Sequence, residues 1–184
     1  MSSVGQVLLV LVAGHFLNTF LLWLTHYVLH QRILGIPLYQ IHLGAHHRID
    51  REDEYALDIS TVYEHIVWGT FTLAASLAYL ALFQLWIAIV LIAELLILAA
   101  TVYYIHELYE RPAASKLERF KWYRHGKALH RIHHSYRPET DPTVTKQQHY
   151  GFRRSVNYSF GGLFTGALMD RIFHTYLNTT QKPV

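Results

Sequence analysis

Three long apolar runs without a single lysine or arginine constrain this chain more than any other feature. They cover residues 7–23, 66–83 and 86–105. All sixteen Lys and Arg lie either between Arg32 and Arg51 or between Arg111 and Lys182. As helices rising 1.5 Å per residue, such runs cross most of a hydrocarbon layer about 30 Å thick. With 52% hydrophobic and 16% charged residues, the 184-residue chain has too few charges to cover a free soluble domain. The pattern predicts an all-α integral membrane protein. It would be one domain over residues 1–184, with three spans at about 5–29, 62–83 and 86–107 and cap segments 30–60 and 108–184.

Charge asymmetry predicts sidedness. Three spans put the N-terminal end and the 83–85 turn on the face that lacks basic residues, and the 31–58 segment and everything after Ile105 on the other. By the positive-inside rule the basic face is cytoplasmic, in a bacterial inner membrane or the endoplasmic reticulum. The net charge of +3 then reflects topology and attraction to anionic headgroups. It is no nucleic-acid footprint, since no aromatic-basic RNA motif accompanies it. The first run has no positive flank before it and no small-residue cleavage site after it, so it is not a secretory signal. Between the runs, 33–37 reads as a break and 38–48 as a helix, with Ser60 as N-cap of the second span. Residues 115–134 read as one long basic surface helix. The apolar stretch 158–169 is too short to cross and reads as re-entrant or interfacial.

Fourteen histidines outnumber the thirteen Asp and Glu together, and zero cysteines excludes disulfides and thiolate metal sites. His26 and His30 are spaced i, i+4 at the end of the first run. His42, His46 and His47 form H-x-x-x-H-H, His106 ends the third run, His130, His133 and His134 form H-x-x-H-H, and His149 follows. Residues three and four apart share a helix face, so each cluster is expected to aim its imidazoles at one point. Imidazole, neutral near pH 7, suits iron, zinc or copper. So many nitrogens exceed the needs of one ion and fit a pair of metals.

This order of boxes around a membrane hairpin resembles the fatty acid hydroxylase/sterol desaturase superfamily of membrane di-iron oxygenases. The likeness includes the last box at residues 130–135, the Thr-containing segment ending in His149, Asn157-Tyr158, and the ending over residues 170–176. It runs from about His26 to Tyr176, and the compact length is most similar to the carotenoid ring hydroxylases. The chain departs from the pattern at Glu110, where many relatives carry histidine, and at Met169, Ser159 and His174, in place of Trp, Gly and Gly.

The resemblance implies two iron ions, for which zinc can substitute after overexpression, with O2 as co-substrate. It implies hydroxylation or desaturation of a C–H bond in a membrane lipid such as a fatty acyl chain, sterol or carotenoid. His26, His30, His42, His46, His47, His106, His130, His133, His134 and His149 are the expected ligands. Glu110, His65, His125 and Asp170 are further candidates, as ligands or as groups that orient them. Electrons would come from a separate donor of ferredoxin, cytochrome b5 or reductase type. No nucleic acid is expected, and oligomerisation stays open. The competing reading is a membrane metal-binding protein without oxygenase activity. A zinc protease needs H-E-x-x-H, but the 106–110 segment lacks the second histidine. A haem electron carrier pairs histidines across spans, and a metal transporter lines the bilayer with polar groups. Within the runs only His15, Asn18 and Glu94 offer themselves, and an interhelical hydrogen bond is the ordinary use of such groups.

Overall fold

A segment that is apolar on every side can satisfy its backbone away from water only by coiling on itself. Three segments do so. They are α1 (Ser3–Leu29), α2 (Ile59–Leu82) and α3 (Leu85–Glu110), each long and apolar enough to cross a membrane. The computed structural model describes residues 3–39, 42, 59–110, 116–135, 156–163 and 165–177. Helix α2 begins at Ile59, so Ser60 lies inside the helix rather than capping it.

Helix α3 is the central strut. Its buried residues Ala88, Leu91, Leu95, Leu98, Val102, Ile105 and Tyr109 alternate in steps of three and four, which draws a single stripe along the helix. Both α1 and α2 pack on α3 and touch each other little. Facing outward, Leu8, Leu9, Leu73, Leu77, Leu96 and Ile97 are each more than half exposed, as lipid-facing positions are. At Gly14 the approach of α1 to α3 is close: a Cβ there would stand 2.5 Å from Leu91 Cδ2 and 2.9 Å from Glu94 Oε2.

The break after α1 is a small hairpin, so the fold is not purely helical. Strand β1 (Arg32–Ile33) pairs antiparallel with β2 (Ile36–Pro37). Its central residues Leu34 and Gly35 have φ of 49° and 85°, as a type I′ turn requires. The chain is helical again at residues 38, 39 and 42; the rest of the expected 38–48 helix lies outside the described residues.

The basic helix is shorter than its sequence pattern. A 3-10 turn at Lys116–Arg119 precedes α4 (Lys121–Ser135), with the break at Phe120. Two contacts fix that corner. Tyr123, fully buried, donates its hydroxyl to Leu108 O of α3 at 3.0 Å, and Lys127 Nζ reaches Glu118 Oε1 at 2.7 Å. Along 158–169 lie a 3-10 turn, Phe160–Gly162, and the start of a five-residue helix, α5 (Leu168–Ile172). Neither crosses anything. The turn packs on α4, where a Cβ on Gly162 would come within 3.0 Å of Leu129 Cδ1. Helix α5 rests on α1, and Phe173 stacks on Trp23 at 4.3 Å between ring centroids.

Candidate metal centre

Successive residues on a helix point about 100° apart, and that angle decides how α4 uses its three histidines. His130 and His134, one turn apart, face one way; His133 faces another. The structure accordingly builds two groups. His26, His30, His42 and His133 form the first, and His106, Glu110, His130 and His134 the second, each with ligand atoms within 4.8 Å of one another. The expectation that each sequence cluster converges on one point is therefore corrected. His133 and His134 are neighbours in sequence yet serve different groups. The groups adjoin across α4, with the His130 and His133 rings 6.2 Å apart.

All four imidazoles of the first group are buried. Two have their tautomer fixed by backbone. His26 Nδ1 stands 2.9 Å from Tyr158 O and His133 Nδ1 2.6 Å from Val156 O. A carbonyl can only accept, so each Nδ1 carries the proton and each Nε2 keeps its lone pair for the group's centre. Those carbonyls lie in the 156–163 strap, and buried Asp170 anchors the strap. Its carboxylate accepts from Tyr158 N and Ser159 N at 2.8 Å each, Trp23 Nε1 at 3.1 Å and Thr175 Oγ1 at 2.7 Å. Asp170 thus acts through Tyr158 on His26 and is no part of either group. Asn157 completes the strap from a left-handed φ of 57°, donating to Leu129 O and Leu177 O and accepting from Leu177 N.

The second group is more open and contains the carboxylate. Glu110 Oε1 lies 3.7 Å from the Nε2 atoms of His106, His130 and His134 alike, with its side chain 36% exposed. Ligand atoms about 2.1 Å from a tetrahedral ion stand about 3.4 Å apart. The three 3.7 Å spacings to Glu110 come near that value, and the other ligand atoms, all within 4.8 Å of one another, would draw together by up to about 1.4 Å around an ion. The donor set fits a divalent transition metal in both groups: imidazole alone in the first, imidazole with one anionic oxygen in the second.

The electrostatics favour neutral, ligating imidazoles. Burial pushes His133 down to about 3, against the pull of its Val156 hydrogen bond and with help from His42 and His106. His130 is also held well below 6.5, by burial first and then by His134, His106 and His133. Burial pushes the Asp170 carboxyl up, while its hydrogen bonds from Thr175, Ser159 and Trp23 pull it back.

Other sequence candidates fall elsewhere. His65 is exposed and lies edge-on to Tyr103 at 5.8 Å, and His125 is exposed on α4; neither belongs to a group. His46, His47 and His149 lie outside the described residues. His174 is exposed at a φ of 56°, the conformation that explains a glycine there in relatives. Sequence reasoning missed the Val156 and Tyr158 carbonyls, because any residue type can supply a backbone acceptor.

Long apolar helices topped by two adjoining histidine-rich groups define a class: helical proteins with a dimetal type of donor array. The family is more particular. The fatty acid hydroxylase family model matches residues 11–175, and the chain belongs to that family, within the fatty acid hydroxylase/sterol desaturase superfamily. It is a family of hydroxylases and desaturases, typically metal-dependent, which places the chain among oxidoreductases. No curated protein and no solved structure matches the chain significantly.

Proposed function

We propose that the chain is a membrane-embedded, O2-dependent di-iron oxygenase that hydroxylates or desaturates a C–H bond of a lipid. One observation carries the reading: α4 presents His133 to one group and His130 with His134 to the other, so one rigid helix holds both donor sets side by side. Iron bound there would supply the O2-activating redox chemistry that an unactivated C–H bond requires. His26, His30, His42 and His133 would hold one ion; His106, Glu110, His130 and His134 the other. His46, His47 and His149 remain proposed ligands from the sequence.

The protein's own residues supply orientation and exclusion of water. The Val156 and Tyr158 carbonyls keep the Nδ1 protons of His133 and His26 in place, so both rings present Nε2 without reorganisation. Phe160 stacks on the His26 ring at 4.7 Å and Trp68 lies 6.5 Å from it, which gives that imidazole apolar neighbours. The lipid would enter between the helices from the bilayer, with the donor groups on the cytoplasmic face, and a separate donor would deliver electrons to the cap.

The test is metal analysis of purified protein combined with lipid mass spectrometry of cells with and without it. Two irons per chain and a lipid gaining one oxygen or losing two hydrogens are expected. His133→Ala and His134→Ala should each lose one ion, from different groups, and abolish turnover. Both ions retained in the double variant, or lipids unchanged by active expression, would overturn the reading.

A further inference from the structure

The polar groups inside the spans are matched to one another. Asn18 donates to Leu91 O and Glu94, Tyr79 donates to Asn18, and His15 lies 3.1 Å from Glu94. Residues 116–135 are different. They hold six Lys and Arg against one acidic residue, Glu118. That carboxylate is taken by buried Lys127 at 2.7 Å. Among the described residues no carboxylate pairs with Lys121, Arg124 or Arg131.

Helix α4 is sharply two-sided. Tyr123, Lys127, Leu129, His130 and His133 are buried, whereas Lys121, Arg124, His125 and Arg131 are exposed. At about 100° per residue those four exposed positions share one stripe, and its ends are about 15 Å apart. The buried side is the one that meets the rest of the protein. Tyr123 reaches Leu108 O of α3, Leu129 O accepts from Asn157, and His133 meets Val156 O. The stripe therefore faces away from the α3 end and from the 156–163 strap.

The buried side also carries His130 and His134 of one histidine group and His133 of the other. Anything docked on the stripe is one helix thickness, about 10–12 Å, from both groups. Electron transfer weakens steeply with distance, so this single short crossing serves the two groups at once. Either reaction of the oxygenase reading takes two electrons. A lipid C–H, O2, two electrons and two protons give an alcohol and one water; a CH2–CH2 pair with the same reagents gives an alkene and two waters. A one-electron carrier must dock and leave twice per turnover, which calls for a fast and weak contact. Such encounters are small, below about 1,200 Å² in total, and complementary charge steers them. An exposed row of basic side chains on one convex helix face has that character. We propose that the Lys121–Arg124–Arg131 stripe docks an acidic one-electron carrier domain. At each docking the carrier loses one electron and an ion held by the adjoining groups gains it. The electron's destination rests on the oxygenase reading; the docking surface rests on the charge and geometry of α4.

Binding, not turnover, is the first readout. Purified full-length protein in nanodiscs of neutral phosphatidylcholine is titrated, by biolayer interferometry, with an acidic [2Fe–2S] ferredoxin and with the acidic haem domain of a cytochrome b5. Saturable binding of at least one is expected, weakened about tenfold between about 0.01 and 0.15 M salt. Arg131→Glu and Arg124→Glu should each weaken it about tenfold, with metal content unchanged. Arg32→Glu makes the same change in net charge on the exposed hairpin and should leave affinity within about twofold. Failure of both carriers to bind at low salt, full affinity in both α4 variants, or an equal loss in Arg32→Glu would overturn the docking surface. The rival occupant is an anionic bilayer. Because the chain has no cysteine, Arg131→Cys takes a single fluorescent label. Quenching of that label by nitroxide-bearing phosphatidylglycerol would put the stripe on the membrane and overturn the proposal. In iron-loaded protein, stopped-flow reduction by the carrier should slow about tenfold in Arg131→Glu, while reduction by a small chemical reductant should not. An unchanged rate with the carrier would overturn the role in electron delivery. A carrier that docks on the stripe of a protein that leaves cellular lipids unchanged would overturn the oxygenase reading and leave the docking surface standing.

Discussion

Replacing Glu110 by glutamine alters one atom and one charge, and the geometry says what that should do. Glu110 Oε1 is equally distant, at 3.7 Å, from three Nε2 atoms, and no other carboxylate joins either group among the described residues. The substitution would leave a neutral amide oxygen where a second ion would have its one anionic donor among the described residues. Groups that merely orient a ligand change metal affinity by about 10–100-fold. A direct anionic ligand belongs at the upper end, so about 100-fold, or roughly 2.7 kcal/mol, is expected for the second ion. Among the described residues the first ion would see His26, His30, His42 and His133, and its binding should shift less than about twofold. Cobalt(II) titration against a chelator buffer, followed by visible absorption, separates the two loading steps. One step should move and the other stay. Activity should fall tenfold or more, and Glu110→His should restore two-step loading. Two steps that move together, or neither moving, would refute the assignment of Glu110 to one group.

Three further outcomes follow from the same structure. Asp170→Asn retains one acceptor oxygen but faces the Ser159 N–H or its companions with an amide, so stability should drop by about 2–3 kcal/mol, and Asp170→Ala should cost more. Thermal melts with metal analysis check this, and an Asp170→Ala protein with wild-type melting and metal content would contradict it. For the metal-free protein, His133 binds a proton near 6.5 when unfolded and near 3 when folded. The unfolded state therefore holds the extra proton between those values, and stability should fall with decreasing pH by about 1.4 kcal/mol per unit per such histidine. Melting temperatures that are flat or rising from pH 6.5 to 5 would show the sign to be wrong. For sidedness, Gln84→Cys should react with an impermeant thiol reagent from outside the cytoplasm and Ser135→Cys only after permeabilisation; outside labelling at Ser135→Cys would overturn the orientation.

The three long helices were legible because the runs free of lysine and arginine have the length and composition of spans, and α1 and α3 end within a few residues of the expected bounds. Their ends were less so. Ser60 has the chemistry of a cap, yet the helix starts before it, since nothing in the apolar pattern marks the first turn. The long basic helix was read straight through Phe120 because its polarity is continuous; the corner is set by Tyr123 reaching Leu108 and Lys127 reaching Glu118, contacts between segments. The histidine boxes announced their residues but not their partition. Helical spacing already separates His133 from His134 by 100°, so that division could have been read, as could the facing of His106 and Glu110 at i, i+4. The Tyr158 and Val156 carbonyls could not. Nor could the completion of the His15–Asn18–Glu94 group by Tyr79, a residue whose place on α2 looks like any interfacial tyrosine.

The first histidine group also has a mechanical meaning. Its members come from α1, from the segment after the hairpin and from α4, and His26 and His133 are more than a hundred residues apart in sequence. In a chain with no cysteine, an ion held there would serve as a reversible cross-link between distant segments. Closing a loop of about 100 residues removes chain entropy worth about 4–5 kcal/mol, on the model used for disulfides. With an ion bound, metal loading and docking of the cap onto the helices would be one event, and a chelator should act as a selective denaturant, loosening α4 and the 156–163 strap while the α2–α3 hairpin stays folded.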